Sequence, residues 1–124
     1  MAYDNPVRQR YDFPEVDASA GDSSFSFKGP SGKTGRIRAA GIEVTTLFAN
    51  DTTDSKVEVG KSGSLAAYAS ASIADASAVQ TTQESTSAVA DIPADTQCIV
   101  TFVAGTDSSA VAGKGTPFVE VDWF

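Results

Sequence analysis

Apolar and polar residues alternate along much of the chain, which is the pattern of β-strands with one buried face. The alternation is clearest in SSFSF, in KVEVG and in FVEVDWF, where the polar positions of the last segment are acids. QCIVTFVAG is apolar on both parities instead, which predicts a central strand covered on both faces. The chain ends on Trp123 and Phe124, and apolar ends are rarely left in water, so we expect the last strand to be tied into a sheet or an interface.

The segment GRIRAAGIEVTTLF predicts a long strand with a change of phase. Four residues share one parity and are expected on one face: Ile42, Val44, Thr46 and Phe48. Ile37 has the opposite parity, so we expect a slip near Ala40–Gly41, because glycine within a strand often marks a bulge.

Residues 62–90 are rich in alanine and serine and support two interpretations. Alanine favours a helix starting at Ser64, whereas the serines and the neighbouring strands favour a strand over LAAYASASIAD, which we prefer. DSSAVAGKGTP is predicted to be a long loop. Short strands separated by turns, in a chain of 124 residues, predict one all-β domain, a sandwich or a barrel.

Residues 1–21 do not predict a regular element, because Pro6 and Pro14 interrupt any helix. Several aromatic residues make the segment too apolar for a solvated tail. We therefore predict an extended N-terminal arm (1–21) ahead of a β-sandwich domain (22–124). The arm lies either on its own domain or on a partner, and the sequence leaves both open.

The glycine-rich segment KGPSGKTGR resembles a phosphate-binding loop only in its letters. The position that a leading glycine must occupy holds Phe27, and the segment that follows has strand spacing instead of the required helix. A glycine turn between two strands is the prediction.

The net charge of −7 is unevenly distributed: residues 1–38 carry +1, and residues 39–124 carry −8. An acidic body repels nucleic acid and anionic lipid, so neither is an expected partner. One basic cluster stands out: Lys28, Lys33, Arg36 and Arg38. It is either a solvated edge strand or a cationic patch that docks an acidic partner or a neighbouring acidic subunit.

Candidate chemistry is sparse. The chain has no histidine, so the usual general base and the triads built on it are missing, and we predict no enzyme and no cofactor. The single cysteine, Cys98, lies in an apolar run and is expected to be a buried thiol. No metal site is predicted, although NDTTD offers a few oxygen ligands. Tyr68 and Trp123 are weak candidates for a sugar site and are expected to be core or interface residues instead.

Three segments together resemble small virion proteins of tailed bacteriophages: AYDNPVRQRYDFPEVDASAG, GPSGKTGRIRAAGIEVTTLF and VTFVAGTDSSAVAGKGTPFVEVDWF. The similarity is to head decoration, or cement, proteins, and it covers most of the chain. It implies a jelly-roll-like antiparallel β-sandwich with an N-terminal arm. It also implies a structural role on the capsid exterior, bound to the major capsid protein as a homo-oligomer, with a trimer favoured.

The resemblance supplies no catalytic residue, so candidate contact residues are chosen by their chemistry. Aromatic and arginine side chains are favoured interface anchors, and cations steer association with acidic surfaces. The candidate partner-binding residues are Tyr3, Arg8, Arg10, Tyr11 and Phe13 in the arm, together with Arg36 and Arg38. An alternative function is a receptor- or glycan-binding β-module of a virion spike or fibre.

Overall fold

A computed structural model of the chain describes residues 7–124. They form nine β-strands: β1 (Val7–Asp12), β2 (Val16–Asp17), β3 (Ser23–Lys28), β4 (Gly35–Ala49), β5 (Ser55–Lys61), β6 (Ser64–Ile73), β7 (Thr82–Ser85), β8 (Gln97–Val103) and β9 (Ala112–Trp123). A short 3-10 helix, Ala18–Ala20, follows β2. The prediction of an all-β fold is confirmed.

The strands form two antiparallel sheets that pack face to face. The first sheet has the order β1-β9-β4-β7, with β2 also paired to β9, and the second has the order β3-β8-β5-β6. The chain crosses repeatedly from one sheet to the other, and this strand order has the connections of a jelly roll. The predicted antiparallel sandwich is therefore present, with the core between the two inner faces.

The two sides of the sandwich are closed differently. On one side, β6 is joined to the segment after β7 by an Ala69–Ala88 bridge and by a 2.8 Å hydrogen bond from Val89 N to Tyr68 O. On the other side, β1 and β3 share no backbone ladder and are linked through aromatic rings. The first side is closed by backbone, the second by side chains.

Strand β4 contains the predicted change of phase, but at a different place. The register shifts between Ile37 and Ala39, so that both Ile37 and Ile42 face the core, and the slip lies just before the predicted position near Ala40–Gly41. Further shifts flank Thr46, which is exposed instead of sharing the buried face of Phe48. The bulges let one strand of fifteen residues follow the curvature of the sheet.

The preferred strand interpretation for the alanine- and serine-rich segment is confirmed by β6, and β8 is the predicted central strand between β3 and β5. The loop predicted over DSSAVAGKGTP is partly wrong, because β9 already begins at Ala112. Small residues there permit close packing: a side chain at Gly113 would collide with the ring of Phe48.

The N-terminal segment is more regular than predicted. The expectation of no regular element is wrong for residues 7–12 and 16–17, which pair antiparallel with β9. Proline governs only the corner between them, since Pro14 lies between the two strands. From residue 7 onward the segment lies on its own domain, which answers the question that the sequence left open. The division at residue 21 into an arm and a sandwich domain stays a prediction.

The glycine-rich segment between β3 and β4 packs against the ring of Trp123. A Cβ atom at Gly29 or at Gly35 would collide with the ring of Trp123, so both positions require glycine to let the indole pack against the backbone. A turn between two strands is what the sequence predicted here, and the structure confirms it.

Candidate partner-binding surface

The outer face of the first sheet carries most of the predicted contact residues. Three adjacent strands, β1, β9 and β4, present charged side chains there: Arg8, Arg10, Asp12, Arg36, Arg38, Glu43, Glu120 and Asp122. The strand register brings these charges together. Asp122 of β9 lies between Arg8 of β1 and Arg36 of β4, and Glu120 lies opposite Arg10.

One carboxylate, that of Asp122, is shared by two arginines. Its Oδ1 lies 2.9 Å from Nε of Arg8, and its Oδ2 lies 3.4 Å from Nε of Arg38. The Asp122 side chain is 18% exposed, whereas both arginine side chains are more than half exposed. The hydrogen bond to Asp122 raises the pKa of Arg8 above its ordinary value. Two cations on one anion leave this end of the face with net positive charge.

Arg36 binds a different acid, Asp91, which precedes the buried Ile92 in the segment between β7 and β8. The pair is bidentate, with Nε–Oδ1 at 3.0 Å and Nη2–Oδ2 at 3.1 Å. The hydrogen bond from Arg36 lowers the pKa of Asp91 and raises that of Arg36. The guanidinium carbon of Arg36 also lies 5.6 Å from the centre of the Phe124 ring.

Arg10 is held by three acids and one ring. Its nitrogens lie 3.0 Å from Asp12, 3.2 Å from Glu120 and 2.9 Å from Glu43, and its guanidinium stands 4.1 Å above the centre of the Phe118 ring. Phe118 is buried on the outer side of the sheet because Arg10 covers it. Three acids around one cation make this part of the face net negative.

The two aromatic candidates of β1 and its neighbouring corner pack toward the other sheet. The Tyr11 ring stacks on Phe27 with 4.4 Å between centroids, and the Phe13 ring stacks on Phe25 at 5.4 Å. Burial raises the pKa of Tyr11, whose hydroxyl donates a 2.7 Å hydrogen bond to Oε1 of Gln9. Both rings are half-buried and close the open side of the sandwich.

The structure therefore brings Arg8, Arg36 and Arg38 together, with Arg10 beside them, and separates Tyr11 and Phe13 from this group. Tyr3 lies outside the described residues. β4 pairs with β9 at Arg36, whereas β7 pairs with β4 only at Ala40–Glu43, so the interpretation of Arg36 and Arg38 as residues of a solvated edge stays a prediction. The docking interpretation stays a prediction as well.

Sequence analysis missed an apolar residue at the same end of this face. Phe124 is 42% exposed, and its ring lies beside the guanidinium of Arg36. Val7 is also exposed, but it pairs with the core residue Trp123 and therefore projects to the inner side of the sheet. Two hydrogen bonds with Thr34 hold Phe124: Thr34 N donates to Phe124 O at 2.8 Å, and Phe124 N donates to Thr34 O at 2.9 Å. We define the terminal surface by the residues grouped on this face: Arg8, Arg36, Arg38 and Phe124.

Other candidate sites are structural. Within residues 7–124 no group of acids and Cys98 is arranged to hold a metal ion. In the NDTTD turn, Asp51 accepts hydrogen bonds from Ser108, and Asp107 accepts one from the Asp51 amide at 2.9 Å, so these oxygens tie two loops together. Within the described range, no helix has the length and apolarity needed to cross a membrane.

The remaining candidates lie in the core. Tyr68 and Trp123 are 3% and 2% exposed, so neither ring is available to stack on a sugar. Cys98 is buried as predicted, and burial raises its pKa to about 11. A thiol held in its neutral form in this way is a packing residue.

Nothing matches the chain among protein-family models or among curated proteins. Among solved structures, the chain is similar to a chain of the cyanophage Pam1 capsid asymmetric unit. The alignment covers 98% of this chain and 89% of the other, at 14% sequence identity and a TM-score of 0.49. A similarity of this size assigns no function.

Proposed function

We propose that this chain is a structural protein of a tailed-bacteriophage virion, a decoration or cement protein that binds the outside of the capsid and stabilises the shell. Its partner is the major capsid protein, and it acts without catalysis. The three segments that resemble virion proteins support the proposal. In the structure they supply β4, β8 and β9, which are interior strands of the two sheets, together with β1 at the edge of the first.

The terminal surface is the observation that carries this proposal. It combines one exposed aromatic residue, Phe124, with three arginines and the two acids that they bind, Asp91 and Asp122, on a chain whose net charge is −7. Exposed apolar side chains beside arginines are typical of protein interfaces. An excess of positive charge there favours an acidic patch on the shell.

The mechanism follows from rigidity and repetition. Residues 7–21 are already ordered on the sandwich, so docking the terminal surface carries no further entropy cost for them. Several copies linked as a homo-oligomer, of which a trimer is favoured, gain avidity without new kinds of contact. A protein that binds the assembled shell and not its dissociated subunits stabilises the shell by mass action.

The test is binding of the purified chain to shells that lack it, measured by cosedimentation. Arg38→Glu removes a cation from the terminal surface, and we expect it to weaken binding about tenfold or more, in line with charge reversal at an interface. Lys61→Glu changes the net charge equally at the exposed β5–β6 turn and serves as the matched control. Deletion of residues 2–6 tests the part of the arm that precedes β1 and leaves β1 itself intact.

Thermal denaturation of each variant must first show that it is folded. Shells that bind neither the wild-type chain nor its variants would remove the proposal. The same failure combined with direct binding to host-surface glycans would favour the spike or fibre module instead. Equal loss in Arg38→Glu and Lys61→Glu would show that overall charge, and not the terminal surface, controls binding.

A further inference from the structure

Within residues 7–124, strand β3 (Ser23–Lys28) pairs with another strand on one side only. It pairs with β8 through six consecutive residue pairs without a register shift, and it is the end strand of the second sheet among the described strands. A regular edge strand offers a row of backbone donors and acceptors to any further strand.

This edge lacks the features that usually prevent pairing. From Ser23 to Phe27 it carries no charge, no proline and no bulge, and its outward side chains are the small Ser24 and Ser26. Natural edge strands are usually protected by charges, prolines or bulges. The neighbouring edge strand β1 follows that rule, with Arg8, Arg10 and Asp12 on its outer face.

A second copy of β3 can pair with this edge in a register centred on Phe25. In an antiparallel pair, residues directly opposite each other point to the same face, so a symmetric pairing must match parity. Centring the pair on Phe25 places Phe25 opposite Phe25 on the inner side and Ser24 opposite Ser26 on the outer side. No bulky outward side chain opposes another in this arrangement.

The charges that flank the strand select the same register. Asp22 precedes β3 and Lys28 ends it, and pairing about Phe25 sets each Asp22 opposite the Lys28 of the other copy. Both are exposed, and neither forms an ion pair with another residue between 7 and 124. Asp22 uses one oxygen to accept a 2.9 Å hydrogen bond from Ala104 N.

We infer that two copies of this chain associate about a two-fold axis by antiparallel pairing of β3 with β3, which joins their second sheets into one. The half-buried rings of Phe13 and Phe25 line the same open side of the sandwich, so pairing also removes apolar surface from water. A groove of about 380 Å³ lies beside β3 on the outer face, and no charged residue lines it, so no charge there opposes a second copy. Its lining residues are Ser24, Phe25, Ser26, Ser62, Gln97 and Ile99.

This inference does not depend on the proposed function. A two-fold contact closes after two copies, so it differs from the trimer that the family resemblance implies. The contact uses the second sheet and not the terminal surface, so loss of shell binding and loss of self-association are separate results.

The first test is register-specific cross-linking of the full chain. Ser24→Cys and Ser26→Cys chains are mixed under mild oxidation, and we expect a disulfide-linked dimer only in the mixture, because residue 24 opposes residue 26 and not itself. Each variant alone is the matched control, and the buried Cys98 is common to all samples. An equally strong cross-link in Ser24→Cys alone would overturn the register.

The second test exchanges the flanking charges. Lys28→Glu sets acid against acid, Asp22→Lys sets base against base, and each is expected to raise the dimer dissociation constant about tenfold. Mixing the two variants restores both opposite-charge pairs, so the mixture is expected to associate like the wild-type chain. Sedimentation equilibrium measures the mass, and circular dichroism checks that each variant is folded.

A monomer at about 1 mM, or a trimeric mass without the mixed cross-link, would overturn the inference. Absence of recovery in the charge mixture would also overturn it if both variants are folded. If Asp22→Lys does not fold, because the bond to Ala104 is lost, the cysteine pair still decides the outcome.

Discussion

The two open edges of the sandwich, β1 and β3, lie on the same side of the molecule and have opposite chemistry. On β1, Arg8 and Arg10 bind acids of their own sheet, whereas β3 carries serines and phenylalanines without charge from Ser23 to Phe27. Among the described strands neither edge pairs with a further strand, so side-chain chemistry decides which one remains open to association. The arginines of β1 pair with acids of their own sheet, and the uncharged segment SSFSF has no such pairs.

The largest expected effect comes from breaking the aromatic link between these edges. The Phe27 ring is buried, and its centroid lies 4.4 Å from that of Tyr11 and 6.5 Å from that of Trp123. We expect Phe27→Ala to lower the free energy of unfolding by about 3–5 kcal/mol, because it leaves a cavity where β1, β3 and β9 meet. Urea denaturation measures this, with Phe124→Ala as a control on an exposed ring. Equal losses in the two variants would contradict the role of Phe27 as the link.

A smaller effect is expected at high pH behind the β3 edge, where Cys98 lies opposite Phe27. Burial raises the pKa of Cys98 from 9.0 to about 11, so the unfolded chain loses this proton first as pH rises. The stability that the neutral thiol confers is complete below pH 9 and disappears between pH 9 and 11, a loss of about 1–3 kcal/mol. Cys98→Ala is the control: its stability should fall less over this range, and parallel curves would refute the assignment.

The smallest loss of stability in this series is expected from variants of the arginines at the β1 edge. Arg10→Ala removes three ion pairs and uncovers Phe118, and we expect a loss of about 1–2 kcal/mol in the free energy of unfolding. Arg8→Ala removes one exposed pair with Asp122, which water and salt screen, and should cost less than Arg10→Ala. Thermal melts at low salt compare the two variants. If Arg8→Ala proved the more damaging, the packing of Arg10 on Phe118 would not be the main support of this edge.

The strands followed from sequence where alternation or a continuous apolar run was strong. FVEVDWF, KVEVG and QCIVTFV were located correctly because burial of one face or of both leaves a direct trace in residue order. The start of β9 and the strand β1 were missed, since glycine, proline and polar residues there mask the period and the pairing is supplied by distant strands. Propensity is a weak guide where tertiary pairing decides the conformation.

The candidate surface was only partly visible in advance. Arg36 and Arg38 stood out as cations in sequence, but their partners Asp91 and Asp122 lie 55 and 84 positions away along the chain. The last strand is tied into the first sheet as expected, but Phe124, which follows it, stays partly exposed. The ion-pair partners could not be predicted from sequence spacing, because the register of the sheet determines which charged residues lie side by side.

By itself, the order of residues determined the all-β character, the buried thiol, the glycine turn and the absence of a phosphate-binding loop, since each depends on local periodicity or on the residue types present. Only the tertiary structure decided that residues 7–12 form an edge strand, that Arg10 covers Phe118, and that β3 is the edge left without charges. These outcomes depend on contacts between residues far apart in the chain, and the free energy of such contacts is set by the pairing of strands and not by the neighbours of each residue.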